Sequence, residues 1–181
     1  MKALKIFRLR RFGDPILRQK ARQLAPAEIK SSEIQTLITD IRKTNEVKQY
    51  GVGLAAPQVG VSVALSIIGI KPTPTRPQAE TFTAVIINPS YQGIGRRTGM
   101  WEGCQSSGTG NDTLYGKALR YRRIRARWLD ENAEQHDEEL TGLVAHVFQH
   151  ETDHLQGILF VDRVRDTRTY MLASEYRKQN A

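Results

Sequence analysis

The sequence predicts an α+β fold in which small antiparallel β-sheets pack around a central helix, with an amphipathic helix near the amino end and a further helix at the carboxyl end. Three observations predict it. Apolar residues recur at helical spacing over residues 32–46 and 143–155. Short apolar or alternating runs at 61–68, 82–87 and 123–128 read as strands. Stretches rich in proline, glycine and threonine punctuate them.

Taken in order, residues 32–46 place Ile34, Leu37, Ile38 and Ile41 on one helix face, and Ser32 with Gln35 has the spacing of a capping box. Val61 to Ile68 and Phe82 to Ile87 are two strands, parted by the loop Lys71-Pro72-Thr73-Pro74-Thr75-Arg76-Pro77. Ile124, Ala126 and Trp128 alternate with Arg123, Arg125 and Arg127, which marks a half-buried strand with a basic outer face. Leu143, Val144, Val147, Phe148 and Leu155 form the buried stripe of the central helix, and Gly157 supplies its stop. Thr167 to Lys178 forms the last helix, carrying Arg168, Arg177 and Lys178.

The 181 residues fit one domain, 1–181, with a sizeable core. Lys and Arg number 27 against 19 Asp and Glu, a net charge of +8 that suits contact with an anionic surface. A solvated basic strand over Arg120–Trp128 explains much of it more simply, and sequence-specific nucleic-acid binding is not expected. No apolar segment is long enough to span a bilayer, and charge interrupts the start, Met1 to Arg8. Neither a secretory signal, a membrane anchor nor a cleavable organelle presequence is expected. The single cysteine, Cys104, cannot form an internal disulfide, which points to a reducing, cytoplasmic setting.

Chemistry concentrates in Gln149-His150-Glu151-Thr152-Asp153-His154. Positions four apart share a helix face, so His150 and His154 can aim two imidazoles at one metal ion, with Glu151 beside them to move protons. His146 and His150 have the same spacing, but Val147 follows His146 and leaves that register without a carboxylate. A two-histidine site needs a third protein ligand and an open position for water, and Cys104, in the polar stretch Trp101-Glu102-Gly103-Cys104-Gln105-Ser106, is a ready candidate. A cysteine nucleophile with His150 or His136 as base is the rival reading, but it leaves Glu151 and the second histidine without a role. Thiolate and imidazole suit zinc, iron, nickel or cobalt alike. In Gly51-Val52-Gly53-Leu54-Ala55-Ala56-Pro57-Gln58, small residues allow another backbone to approach closely, and Gln58 brings an amide donor and acceptor.

These three segments, in this order, closely resemble the signature of the peptide deformylase family: Gly51 to Gln58, Glu102 to Ser106, and Gln149 to His154. The resemblance extends to Gly13–Arg18, to Ile87-Asn88-Pro89 and to Gly157–Arg163, and so spans nearly the whole chain. It implies a hydrolase that removes the formyl group from formyl-methionyl nascent chains. A divalent ion, ferrous iron in this family, would be held by Cys104, His150 and His154, with Glu151 as general base. The Gln58 side chain and the Gln105 N–H would stabilise the oxyanion. Peptide would lie extended against the backbones of Gly51, Val52, Gly53 and Gly103 as an added strand. The ribosome is implied as a partner.

One departure stands out. The family usually has leucine, serine, a β-branched residue and proline after Glu-Gly-Cys, whereas this chain continues Gln105-Ser106-Ser107-Gly108-Thr109-Gly110 and is longer before Arg120. A deformylase-like protein that binds metal and peptide without turnover is therefore the alternative. A zinc endopeptidase follows only if HExxH is read alone.

Overall fold

The computed structural model describes residues 4–49, 51–74 and 76–179; Met1 to Ala3 of the basic start and Thr75 of the loop lie outside them. Among the described residues the α-helices are α1 (Pro26–Ile29), α2 (Ser32–Lys48), α3 (Gly142–Leu155) and α4 (Ala173–Gln179). The strands are β1 (Gly53–Ala55), β2 (Leu65–Ile70), β3 (Phe82–Gly103), β4 (Leu114–Leu129), β5 (Gln135–Thr141) and β6 (Met171–Leu172). The α+β class is as expected, and the antiparallel strands join into one sheet in the order β1-β2-β3-β4-β5, with β6 also on β4.

The apolar runs are strands because both faces of the sheet are covered. Leu65 and Ile67 of β2, with Val85 and Ile87 of β3, pack against Ile34, Ile38 and Ile41 of α2. Ile68, Ile70 and Ile86 pack on the other face with Val144, Val147 and Phe148 of α3. Alternation puts successive residues on opposite faces, so two buried faces make the run continuous. The bounds differ: β2 runs Leu65–Ile70 instead of 61–68, with Val61–Ala64 making a bend and one bridge from Val63 to Arg22, and β3 continues past Ile87 to Gly103.

Long β3 and β4 are bent where their register shifts, at Ile87/Ser90 and Ile94/Arg97. At the first, Asn88 takes a left-handed φ of 51° and ties its side chain to the backbone of Leu24, while Pro89 removes a ladder donor. The half-buried strand is confirmed in β4, where Ile124, Ala126 and Trp128 are buried and Arg123, Arg125 and Arg127 exposed. Its basic face is paired across the sheet: Arg125 and Arg127 meet Asp137 of β5, and Arg123 meets Glu139.

Two helix starts depart from expectation. Ser31, not Ser32, caps α2 by accepting the Ile34 N–H at 3.3 Å. Gln35 completes no capping box and donates to the carbonyls of Ile29 and Glu131, at 2.9 and 2.8 Å. The last helix begins at Ala173, because Met171 and Leu172 pair with β4 first. The stop at Gly157 holds: with φ of 71° it closes a Schellman turn, Ile158 N–H bonding the Asp153 carbonyl and Gly157 N–H that of His154.

Candidate active site

The central helix α3 presents His150 and His154 from adjacent turns, their rings 4.8 Å apart and nearly perpendicular. It is fixed to β4 by Gln149, whose side chain accepts the Tyr121 N–H at 3.0 Å and donates to the Tyr121 carbonyl at 2.8 Å. Cys104, one residue beyond the end of β3, is buried with its Sγ 3.3 Å from His154 Nε2. The potential ligand atoms of Cys104, His150 and His154 all lie within 4.8 Å of one another. A thiolate and two imidazoles converging on one point are a donor set that can hold a divalent metal ion.

Glu102, one residue before Gly103, orients this cluster. Its Oε1 meets His150 Nδ1 at 2.5 Å and Arg120 Nη2 at 2.7 Å; its Oε2 meets His146 Nε2 at 2.7 Å and Arg120 Nε at 2.9 Å. His150 is thus left its Nε2 for a metal, the usual division of labour for a ligating histidine. Arg120, only 1% exposed, is not on the basic surface: it also bonds Asp153 at 2.5 Å, and Asp153 in turn accepts from Nε and Nη2 of Arg163. Sequence reasoning missed this network. Glu102 and Asp153 were visible inside the motifs, but Arg120 looked like one more surface cation, and His146 looked idle once rejected as a ligand.

Electrostatics separate the site's groups. Burial pushes the Glu151 carboxyl up to about 7, despite the opposing charge of His150. Burial opposes the charged form of His150 too, but the Glu102 carboxylate outweighs it and holds His150 well above the usual imidazole range. His154 is driven well below that range by burial and then by His150. Glu151 is 3% exposed and its Oε2 has no hydrogen-bond partner. An unpartnered buried carboxylate oxygen beside three metal-type donors fits a metal ion with its water.

Gln58 closes the opposite wall. Its Oε1 accepts the Ala55 N–H at 2.9 Å, which aims Nε2 at Ser106 Oγ (3.1 Å) and Cys104 Sγ (3.7 Å). Gln105 is half-buried, next to the cysteine. Val52 spends its carbonyl on the Gly69 N–H at 2.8 Å, so by strand alternation the Gly53 backbone faces the outer edge of β1, whose one partner among the described residues is β2. Gly51, at φ 124°, gives its carbonyl to Asn45. Gly103 lies under the Tyr115 ring. His136, the other base considered for a cysteine nucleophile, stacks on Trp128 and bonds Asp130 and Glu138 instead.

Residues 6–170 match the polypeptide deformylase family model. The chain is 38% identical over 163 residues to a peptide deformylase of Leptospira biflexa, covering 88% of both. It is 37% identical over 170 residues to peptide deformylase 2 of Nostoc sp., covering 92% of this chain and 90% of that one. Among solved structures, a Met-Ala-Ser-bound class I type b peptide deformylase from Acinetobacter baumannii superposes with a TM-score of 0.81 at 29% identity, over 90% of this chain and all (100%) of the other. A deformylase from Thermotoga maritima gives 0.72 at 31% identity, over 90% and 99%. With the family model spanning most of the chain and the three motifs meeting in one cluster, this chain belongs to the peptide deformylase family.

Proposed function

We propose that this chain hydrolyses the formyl group from the amino terminus of formyl-methionyl peptides, as one catalytic domain using a divalent ion held by Cys104, His150 and His154. The observation that carries this reading is the convergence of those three donors, within 4.8 Å, beside a buried carboxylate at Glu151. Held there, the ion supplies an acidified water, whose pKa at such sites falls from about 16 to about 7.

The chain's own residues do the rest. Glu151, poised near neutrality, takes a proton from water as its oxygen adds to the formyl carbon. Charge then gathers on the former carbonyl oxygen, and the Gln58 amide and Gln105 N–H donate to it, each such donor typically being worth about 3–4 kcal/mol. Glu151 returns the proton to the departing amine as the carbon–nitrogen bond breaks. The peptide pairs as an added strand at Gly53 on the open edge of β1, lies against Gly51 and Val52 before it, and passes Gly103.

Ferrous iron is the ion this reading takes, from the habit of the family, since zinc, nickel and cobalt suit the ligand types equally. The substrates are chains still being synthesised, which sets the protein in the cytoplasm beside the ribosome. Formate release from formyl-Met-Ala-Ser, with iron restored and without oxygen, tests the proposal. Release that stops on chelation supports it; cleavage of an unblocked peptide, or metal binding without formate, overturns it.

A further inference from the structure

The segment following β3 runs Cys104-Gln105-Ser106-Ser107-Gly108-Thr109-Gly110, with two glycines and no proline to restrict it. Its backbone is nevertheless tied unit by unit. The Cys104 carbonyl accepts the Ser107 N–H at 2.9 Å and its hydroxyl at 2.6 Å. The Gln105 carbonyl accepts from Arg11 Nη1 at 2.5 Å, and the same nitrogen reaches the Gly108 carbonyl at 2.9 Å. The Ser106 carbonyl accepts the Phe12 N–H at 2.9 Å.

The Gln105 N–H lies between the first two of these anchors. It belongs to the peptide unit whose carbonyl Ser107 holds, and the torsions about Gln105 are set by the next carbonyl, which Arg11 holds. One residue earlier, the Arg10 N–H bonds the Gln58 carbonyl at 2.7 Å. Three consecutive residues, 10–12, therefore anchor both groups that face the developing oxyanion.

We propose that Arg11 is a positioning residue for the hydrolysis: by bridging the Gln105 and Gly108 carbonyls it keeps the Gln105 N–H aimed at the oxygen where charge develops. The inference rests on the function proposed above. Arg11 is exposed and lends nothing to the core, so its removal leaves the fold intact while freeing a glycine-rich loop. A guanidinium nitrogen presents two donors in a fixed plane, which suits two carbonyls; an ammonium holds them with less directional control.

The test compares Arg11→Ala and Arg11→Lys with Arg8→Ala, an exposed cation on the same segment, in steady-state formate release from formyl-Met-Ala-Ser by the iron-loaded protein. The expected kcat of Arg11→Ala is about tenfold below wild type, part of what losing such a donor costs. KM should stay within about twofold and the metal content unchanged. Arg11→Lys should fall between, added guanidinium should restore part of the Arg11→Ala loss, and hydrogen exchange at the Gln105 amide should quicken. Arg8→Ala should match wild type. An unchanged kcat in Arg11→Ala, an equal loss in Arg8→Ala, or a loss confined to KM or to metal content would overturn the clamp while leaving the function standing. Absence of formate release from wild type would overturn the function and the clamp together.

Discussion

Gly53 leaves the space that the Glu151 carboxylate occupies: a methyl group built on Gly53 would overlap Oε1 and stand 2.7 Å from Cδ of Glu151. Glu151 is buried, so its side chain has little room to swing aside. The glycine of the first motif thus makes room for the carboxylate of the third.

Gly53→Ala is accordingly expected to lower kcat by at least about tenfold, by displacing the base, with metal content retained. If Gly53 serves only to admit the peptide backbone, KM rises instead and kcat holds. Steady-state constants on formyl-Met-Ala-Ser, with metal analysis alongside, decide between the two.

Cys104→Ser is expected to lose metal far more readily than Ser106→Ala, because a neutral hydroxyl is a poor ligand compared with a thiolate. Ser106 Oγ meets only the Gln58 amide among the site's groups, at 3.1 Å, whereas Cys104 Sγ faces His154. Equal metal content after dialysis against a chelator would make Cys104 a structural residue.

Arg120 is the cation between two buried carboxylates, Glu102 and Asp153. Arg120→Met should destabilise the metal-stripped protein by about 3–5 kcal/mol, the usual cost of breaking a buried pair from one side. Burial alone would raise the Glu102 pKa, but the Arg120 hydrogen bonds, the His150 charge and the histidine hydrogen bonds hold it well below 4.5. The unfolded chain therefore takes up a proton near 4.5 that folded Glu102 refuses, so this stabilisation is present above that pH and lost as pH falls through it toward the folded value. Without Arg120 the folded pKa rises and less is lost. Urea unfolding at about pH 7 and about pH 3.5 should show the deficit of the variant narrowing in acid; a constant deficit would mean that Glu102 is not the group responsible.

What the sequence made legible was local or periodic. His150 and His154 needed only helical spacing, and the strands sharing residues with 61–68 and 82–87 needed only short, mostly apolar runs. What it hid depended on distant partners. Gln35 leaves its cap for the carbonyl of Glu131, 96 positions away, and Arg120 turns inward because Glu102 and Asp153, 18 and 33 positions distant, await it. Arg11 reaches carbonyls 94 and 97 residues on. A backbone carbonyl has no signature in a sequence, so a side chain recruited by one looks like an ordinary exposed cation.

Gln105 offers the test of how the divergent loop affects substrate. Its carbonyl is fixed by Arg11 and its side chain is half-buried beside Cys104, so exchanging the side chain leaves the backbone anchor in place. Gln105→Leu adds apolar contact at the groove edge without touching the N–H. Contacts made equally in ground and transition states change KM, whereas contacts made only in the transition state change kcat. KM should therefore fall, or the preference among formylated peptides should change, with kcat held within several-fold. If the side chain touches no peptide, neither constant moves. A large rise in kcat at constant KM would mean instead that glutamine holds the loop out of alignment, and that the Arg11 bridge alone does not set the direction of the Gln105 N–H.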